Sequence, residues 1–263
     1  MTVLPLQYAV DGPRHAPALL LLGELGTELD VWTPQLVALR PHLRVVRVNH
    51  RGHGSSPSAP GPYTLEELGL DALGVLDRLR VDRFAAAGVG VGATIGIWLA
   101  LNAPERVDGL TLVGASPNFA PAELWRRRAA LVREGGTRAV SHGAMVRWFT
   151  PGYPRRHPVH VARLRRDFEA VDAESFAGCL EAVAGTDLRV GVEGIKAPTC
   201  VITGAHDPTS PPAHGRAIAR AVPDARYVEV PGAAHLVTVE RADAVTSLLL
   251  EQLTGNPRGR SLG

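Results

Sequence analysis

A short apolar run, Phe84 to Ala87, breaks into glycines at positions 88, 90 and 92 and then continues as an apolar, helix-like stretch from Ala93 to Leu101. A strand that becomes a helix with almost no loop between them is a strong constraint. The turn demands unusual backbone angles, which glycine adopts at low cost, and the helix has to fold back over the sheet that its strand belongs to.

The rest of the chain repeats that strand-then-helix rhythm. Thr2 to Val10 alternates apolar residues, and Ala18 to Leu22 and Leu43 to Val48 are continuous apolar runs of the kind found in strands buried on both faces. Asp30 to Arg40 has helical spacing. Thr64 and Glu67 have the spacing of a capping box, predicting a helix from there through Leu79. Val107 to Val113 is a further strand. The rhythm then stops, and helical segments follow at Glu123 to Glu134, Arg138 to Phe149, His157 to Ala170 and Ala173 to Ala184. It resumes with Thr199 to Thr203, Pro212 to Ala221, Arg226 to Val230 and Ala242 to Leu253. Strands alternating with helices imply an α/β fold with a parallel sheet covered on both faces. The expected division is a core over residues 1–116 and 195–253, a helical insertion over 117–194, and a Gly/Pro/Arg-rich disordered tail over 254–263.

With 263 residues, one large domain with a sizeable core is expected. The net charge of +2 gives no bulk attraction to nucleic acid or acidic lipid. Two cysteines, Cys179 and Cys200, fit no zinc or redox spacing. No apolar run approaches the ~18 residues of a membrane span, and no signal-peptide pattern opens the chain, so a cytoplasmic protein is expected. No metal cluster and no dinucleotide fingerprint is present, so no cofactor is expected. A small molecule is the expected partner, with no nucleic acid and no membrane, and the chain is expected to be a monomer or homodimer.

Several stretches together carry a family resemblance: Leu25-Gly26-Thr27 with Asp30-Val31-Trp32, Arg51-Gly52-His53-Gly54, Trp98-Leu99-Ala100 with Ala103-Pro104-Glu105-Arg106-Val107, Arg147-Trp148-Phe149-Thr150-Pro151, Gly204-Ala205-His206-Asp207-Pro208, and Pro231-Gly232-Ala233-Ala234-His235-Leu236. In these the chain resembles the α/β-hydrolases, and in detail the 3-oxoadipate enol-lactonases. The resemblance implies an α/β-hydrolase fold, a mostly parallel central sheet flanked by helices with a helical cap insertion. It also implies that Asp207 is the acid of a catalytic triad, His235 its base, Leu25 and Val91 the backbone donors of an oxyanion hole, and Trp148 part of the substrate pocket.

Two departures stand out. The family's G-x-S-x-G turn reads Gly88-Val89-Gly90-Val91-Gly92, with Gly90 at the nucleophile-elbow position, and the oxyanion loop carries Gly23-Glu24 where the lactonases have Asn-Ser. Removing a triad nucleophile leaves roughly 10³–10⁴-fold acceleration over water. Cys179, Cys200 and Thr94 are poor substitutes by position. A His235–Asp207 pair opposite an empty elbow could still abstract a proton next to a carbonyl, with the hole holding the enolate and Glu24 as a second acid/base. That predicts isomerisation, cyclisation, elimination or C–C cleavage of a small carbonyl or lactone substrate. The alternatives are lactone hydrolysis by His-activated water at Gly90, and a pocket that binds without turnover. Arginines at 126–128, 155–156, 163 and 165–166 read as solvated helix faces, although they could attract an anionic substrate.

Overall fold

The computed structural model describes residues 2–119 and 121–254. A seven-stranded sheet has the order β1 (Tyr8–Asp11), β3 (Arg44–Val48), β2 (Ala18–Leu22), β4 (Phe84–Val89), β5 (Val107–Val113), β6 (Thr199–Gly204), β7 (Arg226–Val230). Every neighbouring pair is parallel except β1 with β3. The strands that read as continuous apolar runs lie at its centre: Leu19 to Leu22 of β2 and all of β4 are buried. Each leucine so buried contributes about 1.5–3 kcal/mol over an exposed one.

Helices flank the sheet. Between the strands lie α1 (Thr33–Leu39), α2 (Leu65–Arg78) and α3 (Val91–Asn102), and after β5 come α4 (Ala122–Gly135), α5 (Arg138–Trp148), α6 (Gly152–Arg156), α7 (Pro158–Glu169) and α8 (Ala173–Ala184). The chain then closes with α9 (Pro212–Ala221), α10 (Val237–Glu240) and α11 (Ala242–Thr254). The capping box is formed: Glu67 N–H donates to Thr64 Oγ1 at 3.2 Å and Thr64 N–H to Glu67 Oε2 at 2.9 Å. α3 is buried on nearly every side, as its uniformly apolar sequence requires.

The structure differs from the sequence reading in a few places. The first strand begins at Tyr8, not Thr2, because the segment before it turns to give the Leu4 amide to Asp71 at 2.7 Å. The 30–40 helix is a 3-10 turn (Leu29–Trp32) followed by α1, the break falling just before Pro34. The helix expected over 157–170 is α7, which starts at Pro158 because His157 takes the N-cap position at φ −129° and ψ 51°, as a residue before proline favours. The short α10 carries too little periodicity to be read. Thr254 ends α11, and the rest of the expected disordered tail, 255–263, lies outside the described residues.

The strand order reverses between β2 and β4, which leave their shared position for opposite sides of the sheet. Loops diverging at such a switch point open a crevice at the carboxyl ends of the strands. Glu24 follows β2 and Gly90 follows β4 at this crevice, with Asp207 after β6 and His235 after β7 along the same edge.

Candidate active site

Gly90 sits at φ 57° and ψ −114°, in the left-handed half of backbone space. Its neighbours are held tightly: the Gly90 amide donates to Val113 O at 2.9 Å, and the Gly92 amide to Gly23 O at 3.1 Å. That last bond ties the turn to the loop carrying Glu24.

Glu24 reaches into the space a side chain at position 90 would need. A Cβ built on Gly90 would lie 1.5 Å from Glu24 Oε2 and 2.5 Å from its carboxyl carbon, so the two cannot coexist. Oε2 accepts the Val91 amide at 2.8 Å and stands 3.6 Å from His235 Nε2. The elbow is therefore not empty, as the sequence suggested; a carboxylate fills it. Likewise Val91, expected to offer its amide to a substrate oxygen, already donates it to Glu24. Leu25, the other expected donor, lines the adjoining cavity.

Buried histidines brace the Glu24 loop from below. His50 Nε2 lies 2.8 Å from Gly23 O, and the Gly26 amide donates to His53 Nε2 at 2.9 Å while His53 Nδ1 faces Arg51 O at 2.8 Å. Accepting at Nε2 and donating at Nδ1 requires a neutral ring. Burial and the neighbouring His50 push His53 down to about 3, and burial likewise lowers His50. From above, Phe168 of α7 lies against Gly26 (φ +87°), where a Cβ would come within 2.1 Å of the ring. Phe168 continues into edge contacts with Trp148 and Phe176, at centroid distances of 5.6 and 5.0 Å.

His235 is buried, with Nδ1 2.8 Å from Asp207 Oδ2. The other Asp207 oxygen accepts the Thr209 and Ser210 amides at 2.8 and 2.9 Å, which fixes the carboxylate. Nε2 has no hydrogen-bond partner among the described residues and points toward Glu24 across a gap. Burial disfavours the charged imidazole, but Asp207 and then Glu24 outweigh it, raising His235 to about 10. Glu240 anchors the loop: its carboxylate accepts the Ala234 amide at 2.9 Å and the Thr150 amide at 3.2 Å, and bonds the Thr150 hydroxyl. Nothing in its local sequence marked that role.

A cavity partly open to solvent lies over Glu24 and His235 and reaches Trp148. It also reaches Arg128 and Arg147. Among the described residues neither has a carboxylate within ion-pair distance. Burial lowers both, and Arg128 also lies over the Trp125 ring at 4.8 Å. The arginine clusters are thus split: Arg126 and Arg127 are exposed, Arg163 and Arg165 pair with Asp30 and Glu169, and Arg128 turns inward. Helical spacing places Arg128 one position from the buried Ala129; Arg147 was legible only as the neighbour of Trp148. Cys179 and Cys200 are buried, with thiols pushed up to about 12 and about 11 by that burial. Thr94 gives its hydroxyl to Gly90 O at 3.2 Å. Among the described residues there is no cluster of three or more His, Cys, Asp or Glu side chains able to hold a metal ion, and no helix long and apolar enough to cross a membrane.

A sheet of this order, with a sharp strand-to-helix turn after β4 and an acid and a histidine after β6 and β7, is the α/β-hydrolase arrangement, and the chain belongs to that family; the family's model matches residues 17–147. Among its relatives, 3-oxoadipate enol-lactonase 2 of Acinetobacter baylyi is 35% identical over 239 residues, 91% of this chain and 89% of that one. The solved enol-lactonase from Burkholderia xenovorans LB400 superposes with a TM-score of 0.93 at 40% identity, covering 96% of this chain and 99% of that one. A thermophilic esterase from Thermogutta terrifontis, solved with malate bound, gives a TM-score of 0.90 at 25% identity, covering 95% and 93%.

Proposed function

We propose that this chain is an enzyme that moves protons on a small, carboxylate-bearing carbonyl or lactone compound, with Glu24 as base and protonated His235 as acid. The observation that carries the reading is His235 Nε2 facing the Glu24 carboxylate at 3.6 Å while Asp207 holds Nδ1 from behind. An imidazole between two carboxylates keeps its proton at neutral pH, so the expected roles are reversed: Glu24, not His235, is the group ready to accept a proton. Paired groups whose surroundings favour opposite protonation states divide acid and base work in this way.

In the proposed cycle Glu24 takes a proton from the carbon next to a substrate carbonyl. A protonated Glu24 is a weaker acceptor, so the Val91 amide is released toward the developing enolate oxygen, and His235 returns a proton at the far atom. Isomerisation, cyclisation, elimination and C–C cleavage all share this first step. Arg128 and Arg147 in the cavity, without carboxylate partners among the described residues, support an anionic substrate, as does the malate bound by the Thermogutta esterase.

The test is hydrogen–deuterium exchange at the carbon next to the carbonyl of small keto acids and lactones in heavy water, followed by proton NMR. Glu24→Gln is expected to slow exchange by about 10²–10⁴-fold. Exchange unaffected by Glu24→Gln would reject Glu24 as base. Likeness to the enol-lactonases favours a second reading, lactone hydrolysis by water activated between Glu24 and His235. Ring-opened product carrying oxygen from ¹⁸O-water separates it from non-hydrolytic chemistry.

A further inference from the structure

The residues on either side of His235 are both bonded, directly or through one carboxylate, to the segment that ends α5. The Leu236 amide donates to Trp148 O at 3.0 Å, and the Ala234 amide donates to Glu240 Oε2 at 2.9 Å. The same Glu240 carboxylate takes the Thr150 amide, 3.2 Å from each oxygen, and the Thr150 hydroxyl. We propose that Glu240 is a positioning residue that holds Arg147 in register with His235, so that the enzyme selects substrates by the distance from their carboxylate to the reacting carbon. This rests on the proton-transfer reading and adds to it the rule by which a substrate is chosen.

Three features of the geometry carry it. First, the bonded segment 148–150 directly follows Arg147 on α5, and Arg147 lines the cavity, so this arginine and His235 hang from one short network. Burial and Arg128 lower the Arg147 guanidinium while Glu24 raises it, so Arg147 lies within charge range of the reacting carboxylate. Second, Glu240 belongs to the His235 side of the network and reaches across to α5. Its amide donates to Leu236 O at 2.9 Å, and the Val237 amide donates to His235 O at 2.9 Å. The Glu240 side chain is buried and receives two amides and a hydroxyl, which an ionised carboxylate accepts on both oxygens and an amide side chain cannot. Third, Arg128 is supported elsewhere. Its helix α4 packs chiefly against α8, and α8 takes the Tyr63 amide at Gly178 O, 3.4 Å away. The two cavity arginines thus have separate supports, and Arg147 shares that of His235.

The selection rule follows from that shared support. A substrate carboxylate on Arg147 fixes one end of the molecule at a set distance from His235. A ketone then meets Glu24 and His235 together when its carbonyl lies the matching number of carbons from its carboxylate. A misplacement of about 1 Å costs about 10²-fold in rate, so neighbouring chain lengths are sharply distinguished. Binding energy at the remote carboxylate is thereby expressed in kcat, because it holds the reacting carbon in place. Breaking the network leaves the carboxylate on Arg147 but frees its distance to His235. The loss then falls on kcat, KM is little changed, and the preference for one chain length flattens. A residue that served the fold alone would slow every ketone by one common factor.

The experiment measures kcat and KM for deuterium exchange on 4-oxopentanoate, 5-oxohexanoate, 6-oxoheptanoate and neutral 2-pentanone, in the unaltered protein and in Glu240→Gln. Expected is one preferred acid, whose kcat falls about 10–100-fold in Glu240→Gln relative to that of 2-pentanone, with KM nearly unchanged. Arg147→Ala added to Glu240→Gln should lower kcat no further, whereas Arg128→Ala should act independently of it. Equal slowing of all four ketones, or coupling to Arg128 as strong as to Arg147, overturns the proposal. Should Glu240→Gln fail to fold, Thr150→Val removes the hydroxyl alone, and unchanged chain-length preference in that variant overturns the proposal equally. A second readout needs no turnover: saturating 5-oxohexanoate should slow hydrogen exchange of the Leu236 amide about tenfold in the unaltered protein and not in Glu240→Gln. Slowing at Leu236 with no deuterium exchange on any ketone rejects the proton-transfer reading and leaves the register. Deuterium exchange without slowing at Leu236 rejects the register and leaves Glu24 as base, and loss of both rejects both.

Discussion

Replacing Gly90 with serine tests how far positions 24 and 90 depend on each other. At φ 57° a residue with a Cβ costs about 1–2 kcal/mol relative to glycine. The new Cβ would lie 1.5 Å from Glu24 Oε2, so Glu24 must swing out and lose its charged bond from the Val91 amide, a further ~1.5–3 kcal/mol. The single variant is therefore expected to lose about 3–5 kcal/mol, or roughly 6–20 °C in melting temperature for a chain of this size. In a Glu24→Ser background the collision is gone, and Gly90→Ser should cost only the backbone part, leaving a coupling of about 1–3 kcal/mol between the two changes. Melting curves for the four proteins give the stability cycle, and p-nitrophenyl acetate hydrolysis gives the functional one. Only the double variant, with serine at 90 and room around it, is expected to gain esterase activity. Additive stability effects, with Gly90→Ser alone costing less than about 1 kcal/mol, would refute the claim that Glu24 occupies the elbow.

Further outcomes follow from the same geometry. His235 is raised from 6.5 to about 10 in the folded state, so its contribution to stability is complete below pH 6.5 and disappears as pH rises toward 10; urea titrations should show that loss, and Glu24→Gln should shrink it. His53 is lowered from 6.5 to about 3, so its contribution runs the other way, present above 6.5 and lost as pH falls toward 3. His53→Gln should flatten that acid limb in the same titrations. Arg147→Ala or Arg128→Ala should raise KM for a carboxylate-bearing substrate about 10–100-fold through the lost charged hydrogen bonds, while leaving a neutral analogue nearly unaffected in steady-state assays. Glu240→Ala leaves the Ala234 and Thr150 amides without their acceptor and should cost about 2–4 kcal/mol in urea unfolding.

Much of the fold was written locally. The β2 and β4 strands are continuous apolar runs, the Thr64–Glu67 pair is a capping signal, and the interruption of the strand–helix rhythm between Val113 and Thr199 marks the inserted helices. Errors fell where a 3-10 turn precedes a proline, as at Leu29–Trp32 before Pro34, or where an element is as short as α10. The site was legible residue by residue but not as a unit. Glu24 and Gly90 each stood out as departures, yet nothing in their surroundings says that one side chain fills the space left by the other. That follows from the parallel pairing of β2 with β4, which sets the loops after them side by side. The sequence marks His235 as a base by its place in the chain, whereas the acid role proposed for it rests on carboxylates from two different loops converging on one ring, which no local stretch displays. Arg126, Arg127 and Arg128 are indistinguishable by composition, and only the direction of α4 decides which of them meets the cavity.

The central claim is that His235 rests as an imidazolium between Glu24 and Asp207. Nitrogen-15 NMR of the histidine side chains between pH 6 and 11, in the unaltered protein and in Glu24→Gln, measures it directly. The expected result is both His235 nitrogens protonated through neutral pH, with titration centred near pH 10 and moved downward when Glu24 loses its charge. A neutral His235 ring at pH 7, or a titration unmoved by Glu24→Gln, would contradict the account.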